Sequence, residues 1–104
     1  KLPEPGTLLV GPSGWAHSGW QGVFYPNARP HKSHPLRYFA QFFSAVEITA
    51  SLYGPLKPEL TRVWSHAVHA NPDFQFVARV WRKLLDSPSP AAADVAAFRS
   101  GLQP

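Results

Sequence analysis

The chain has 104 residues, ten Lys and Arg against six Asp and Glu, and no cysteine. That length supports one modest hydrophobic core, and a composition of 44% hydrophobic and 13% aromatic residues supplies it, so low-complexity disorder is excluded. Without cysteine there is neither a disulfide framework nor a thiolate metal site, and a net charge of +4 favours anionic partners, a small molecule such as a phosphate or a nucleic acid.

No apolar run approaches the ~18 residues that a membrane span requires, and Lys1-Leu2-Pro3-Glu4-Pro5 lacks the apolar core of a signal peptide. The expectation is a soluble, cytoplasmic protein with no membrane partner.

Thr7-Leu8-Leu9-Val10 is a short apolar run that ends at Gly11-Pro12, the pattern of a first strand buried on both faces of a parallel sheet. From Ser13 to His34 the chain is rich in Gly, Pro, Asn and His and shows no helical period. A loop of about 20 residues inside a compact domain is usually a lid or a binding loop. Pro35 suits a first helical position, and Leu36, Phe39, Phe42 and Phe43 recur at helical spacing, which predicts a helix over 35–43. Ala45-Val46-Glu47-Ile48-Thr49-Ala50 is β-prone and predicts a second strand.

Pro58 opens a second helix whose Leu60, Val63, Trp64, Ala67 and Val68 form an apolar stripe, and Asn71-Pro72 stops it because a residue before proline is pushed out of the helical region. Residues 74–81, Phe-Gln-Phe-Val-Ala-Arg-Val-Trp, predict a third strand. After the break at Asp86-Ser87-Pro88-Ser89-Pro90, Ala91 to Leu102 has helical composition with Val95, Phe98 and Leu102 on one face. Three strand-then-helix alternations predict an α/β fold with a parallel sheet in the order 1-2-3.

Gly11-Pro12-Ser13-Gly14-Trp15, then Trp20, Gly22 and Phe24-Tyr25-Pro26, then Val46-Glu47-Ile48 and Tyr53, together resemble the YecE-like family, also called domain of unknown function 72. The resemblance implies a TIM-type barrel, with no reaction assigned. A complete barrel takes roughly 250 residues, so residues 1–104 are expected to form the N-terminal portion of a single barrel domain, a partial barrel of about three β/α units. Open sheet edges in such a piece favour self-association. The family usually carries Lys where this chain has Arg79, and Glu-Ile-Asn where it has Glu47-Ile48-Thr49.

In barrels of this kind the loops after the strands form the active face. Three segments qualify: Ser13 to Tyr25, Thr49 to Tyr53, and Arg79 to Asp86. In the first, Trp15, Trp20 and Tyr25 either stack against a flat ligand or plug the barrel mouth. Ser13 and Tyr53 join them as candidate ligand contacts. Glu47 is an acid in an apolar strand, where a buried carboxylate needs a partner, and Arg79 in the adjoining strand is the candidate partner.

Two readings of that pair stand side by side. In one, Glu47 is a general base or anchor and Arg79 binds an anion; in the other they are a buried ion pair that fixes strand register. His17, inside the motif loop, is the second candidate acid–base group. His66 and His69 lie off the apolar stripe and are expected to face solvent, and His31 and His34 show no complete metal spacing, so no metal site and no cofactor is assigned. Gly11-Pro12-Ser13-Gly14 lacks the Lys-Ser/Thr ending of a phosphate loop. The leading expectation is an enzyme acting on a phosphorylated or nucleotide-like substrate. The alternative is a non-catalytic binding module for nucleic acid or a partner protein.

Overall fold

The structure is a computed structural model that describes residues 4–26 and 34–103. Its elements are helix α1 (Pro35–Phe39), strand β1 (Ala45–Ile48), helix α2 (Pro58–Ala67), strand β2 (Gln75–Ala78), helix α3 (Arg82–Asp86) and helix α4 (Ala92–Leu102), with 3-10 turns at Ser18–Trp20 and Ala50–Leu52. It is a mixed α/β arrangement around a small parallel sheet. Strands β1 and β2 pair in the register Ala45 with Gln75 through Ile48 with Ala78, and α2 forms the crossover between them.

The expected first strand at Thr7–Val10 is not there. Leu8 and Val10 are 84% and 65% exposed, and residues 7–10 are irregular. Pairing is displaced to Pro12–Gly14, where Glu47 N donates to Pro12 O at 3.0 Å and Gly14 N donates to Glu47 O at 2.9 Å. This single parallel bridge, Ser13 against Glu47, lies on the edge of β1 opposite to β2. The expected order 1-2-3 is thus corrected to a two-stranded sheet, β1 beside β2, with one isolated bridge on the far edge of β1. Gly11 enables it, because a Cβ at that position would overlap the Ala45 carbonyl, a close backbone approach open only to glycine.

Other elements are shorter than their sequence patterns. Helix α1 stops at Phe39 and continues as turns, so Phe42, expected in the buried stripe, is exposed. The helix starts on Pro35 and is capped by His34, whose Nδ1 accepts from Leu36 N at 3.1 Å. Its C-terminal carbonyl at Ala40 accepts from Asn71 Nδ2 at 3.0 Å, which satisfies one of the acceptors left open at a helix end. The second strand ends at Ile48 rather than Ala50, because residues 50–52 turn into a 3-10 helix. The third covers only 75–78, and residues 82–86, expected as a loop, form α3.

Strand alternation separates two faces. Val46 and Ile48 point into a core made with Leu36, Phe39, Trp64, Val68 and Phe74. Helix α2 buries Thr61 and Trp64, while Leu60 and Val63 of the expected stripe are exposed. Thr61 takes the inner position because its hydroxyl donates to Gly101 O of α4 at 2.7 Å. Helix α4 likewise buries Gly101 rather than Val95 or Leu102, since a Cβ at Gly101 would overlap the Leu56 carbonyl. On the other face of the sheet stand Glu47, its register partner Val77, and Arg79 one alternation further on.

Candidate functional site

The bridge at Ser13 brings the motif loop to the C-terminal end of β1, and a concavity of about 370 Å³ opens there. Ser13, Trp15, His17, Glu47, Thr49 and Trp64 line it. Ser13 Oγ donates to Glu47 Oε1 at 2.8 Å. Glu47 Oε2 lies 4.0 Å from Arg79 Nε, with the Glu47 side chain 40% and the Arg79 side chain 51% exposed. Of the two readings of this pair, the buried ion pair does not form: the contact is open and loose. Its cause is the sheet face, which among the described residues carries no covering element over Glu47 and Val77.

His17 is held in place from two sides. Its Nε2 is 2.7 Å from the Ser13 carbonyl, which can only accept, so Nε2 carries the proton and the neutral ring keeps its lone pair on Nδ1. Its ring lies 4.5 Å from that of Trp20. Trp20 therefore supports His17 and packs on the core instead of lining the concavity. Tyr25 is 3% exposed and belongs to the core, with its hydroxyl donating to Trp15 O at 2.6 Å. That bond fixes the backbone of Trp15, whose ring meets Trp64 edge-on at 4.9 Å.

The glycine motif has a structural explanation that excludes a phosphate loop. Gly14 adopts φ +74° and its N–H is bonded to Glu47 O, so this amide is not available to cradle an anion. Tyr53, grouped with the others from sequence, stands apart: it is 80% exposed and lines a separate cleft with Trp81 and Arg82. His66 and His69 are exposed and stack on each other at 5.0 Å. His31 lies outside the described residues.

Two contributors escaped the sequence reading. Trp64 has a helical-stripe spacing that signals only core, yet it also walls the concavity. Ser51, fully buried, donates from Oγ to Arg79 O at 2.6 Å and approaches Ile48 O at 3.3 Å, tying the loop after β1 to the end of β2. A hydroxyl just past a strand was its only sequence signal.

Among the described residues no three His, Cys, Asp or Glu converge to hold a metal ion, and no helix is long and apolar enough to cross a membrane. What the geometry offers is a carboxylate restrained by a hydroxyl, a guanidinium beside it, an oriented imidazole and aromatic walls. The model of the family described as a protein of unknown function, DUF72, matches residues 9–104, and the chain belongs to that family. No curated protein and no solved structure matches it.

Proposed function

We propose that residues 1–104 are the N-terminal part of a single TIM-type barrel domain, and that the face at the C-terminal ends of its strands binds a phosphorylated ligand and performs acid–base chemistry on it. Parallel neighbours joined through α2 support the barrel. The observation that carries the functional reading is the convergence of Ser13, Glu47, Arg79 and His17 at the loop ends beside β1 and β2.

Glu47 is the general base. Ser13 holds Oε1, which leaves Oε2 toward the space beside Arg79. The 4.0 Å separation is longer than a hydrogen bond, so the guanidinium keeps its donors for a phosphate, which it meets in a planar, two-pronged way. His17 exchanges a proton through Nδ1, and the Trp15 and Trp64 rings supply the apolar walls.

A thermal-shift screen of the full-length protein against nucleotides, sugar phosphates and oligonucleotides tests this. A phosphorylated compound should raise the melting temperature, Arg79→Gln should remove that shift, and Glu47→Gln should keep binding while removing turnover. A screen in which no phosphorylated compound binds overturns the reading. The net charge of +4 favours a second reading, a non-catalytic module for nucleic acid or a partner protein, which predicts oligonucleotide or protein binding indifferent to Glu47→Gln.

A further inference from the structure

Two concavities flank the 3-10 turn Ala50–Leu52. Ala50 belongs to the one with Glu47 and His17, and Leu52 to a second, of about 470 Å³, which runs between Tyr53 and the segment Trp81, Arg82, Asp86 and Ser87. Three residues of 3-10 helix advance only ~6 Å, so the two sites are neighbours. The residue between them, Ser51, is bonded to the Arg79 carbonyl, so the turn that divides the sites is fastened to the chain at the proposed phosphate-binding arginine.

The second cleft has a composition unlike idle surface. Tyr53 is 80% exposed and has no ring partner among the described residues, yet it forms the wall of a concavity. Opposite it, Trp81 is covered by Lys83, whose Nζ lies 5.4 Å from the ring centroid and 3.0 Å from Asp94 Oδ2. Lys83 is thereby paired with Asp94 and lies against the wall. Arg82 has no ion-pair partner among the described residues. An open aromatic face beside an uncommitted guanidinium and a carboxylate suits a flat, heteroatom-rich ring: the ring stacks on the tyrosine, Arg82 donates to its acceptors, and Asp86 accepts from its amino group or from a ribose hydroxyl.

We propose that this cleft seats the base of a nucleoside monophosphate whose phosphate is held at Arg79, so that the ligand straddles the Ala50–Leu52 turn. This rests on the phosphorylated-ligand reading above and narrows it from any phosphate to a nucleotide.

The test is calorimetric titration of the full-length protein with AMP, GMP, CMP, UMP, ribose 5-phosphate, inorganic phosphate and a short oligonucleotide. At least one nucleotide should bind about tenfold or more tightly than ribose 5-phosphate, the margin that one aromatic stacking contact confers. Tyr53→Ala should remove that margin and leave ribose 5-phosphate affinity unchanged, while Tyr53→Phe, which keeps the ring, should retain it. The proposal is overturned if no nucleotide exceeds ribose 5-phosphate, if the margin survives Tyr53→Ala, or if an oligonucleotide binds far more tightly than every monomer. Ribose 5-phosphate binding that depends on Arg79 without any base margin sinks this inference alone. No binding by any phosphate sinks both readings.

Discussion

Ser51 Oγ donates a 2.6 Å hydrogen bond to the carbonyl of Arg79, 28 residues away in sequence, and its side chain is fully buried. The bond joins the loop after β1, which borders both concavities, to the first residue beyond β2, where the chain leads into the segment that lines the second. Ser51→Ala takes this donor from the Arg79 carbonyl and leaves a small void where the buried hydroxyl stood. The expected loss is about 1–2 kcal/mol of stability, measured by chemical denaturation, with weaker binding of any ligand that depends on Arg79.

Gly11→Ala should be far more damaging than Gly19→Ala. A Cβ at residue 11 would overlap the Ala45 carbonyl, whereas at residue 19 it meets nothing. To relieve the overlap the Pro12–Gly14 segment must retreat from β1, breaking both backbone bonds to Glu47 and moving Ser13 off the carboxylate. The first change should cost roughly 1–3 kcal/mol and the second under about 1 kcal/mol in either direction. Equal melting temperatures for the two variants would refute the bridge at Ser13.

These two sites mark where the sequence was readable and where it was not. Prolines at 35 and 58, the three-and-four spacing that includes Leu36, Phe39, Trp64 and Val68, and the Asn71-Pro72 stop identified the helices around the sheet, because those signals act locally. The nearness of Glu47 and Arg79 was also legible, since adjacent parallel strands set equal-parity residues on one face. Thr7–Val10 forms no strand because nothing among the described residues covers Leu8 or Val10, and the pairing falls instead on Pro12-Ser13-Gly14, which has no strand composition. Helix α3 has five residues, too few to show a period. The inward position of Thr61 depends on its bond to Gly101, 40 residues away, a tertiary fact that hydrophobic spacing cannot carry.

Tyr25→Phe separates the ring from the hydroxyl. The ring fills the core beside Phe24 and Tyr38, and the hydroxyl holds the Trp15 carbonyl at 2.6 Å. Removing the hydroxyl should cost about 1 kcal/mol, and Tyr25→Ala about 3–5 kcal/mol, as for other large-to-small core changes. Because Trp15 walls the concavity, Tyr25→Phe should also change its fluorescence, a readout that a ring acting only as filler would leave unmoved.

The ion pair itself should contribute little. Glu47 and Arg79 are 4.0 Å apart and close to half exposed, and pairs of that kind are worth about 0–1 kcal/mol because water and salt screen them. Glu47→Gln keeps an oxygen for the Ser13 hydroxyl, so it disturbs the local bond at Oε1 least. Melts of Glu47→Gln, Arg79→Gln and the double variant should give a coupling energy below about 1 kcal/mol that shrinks further at high salt. Binding should behave differently: if Arg79 is the phosphate contact, its loss weakens the ligand by a charge-assisted bond, about 1.5–3 kcal/mol, whether or not Glu47 is present. A coupling energy of about 3 kcal/mol or more in the unliganded protein would mean that the pair is a closed structural contact, and the anion-clamp role of Arg79 would fall with that result.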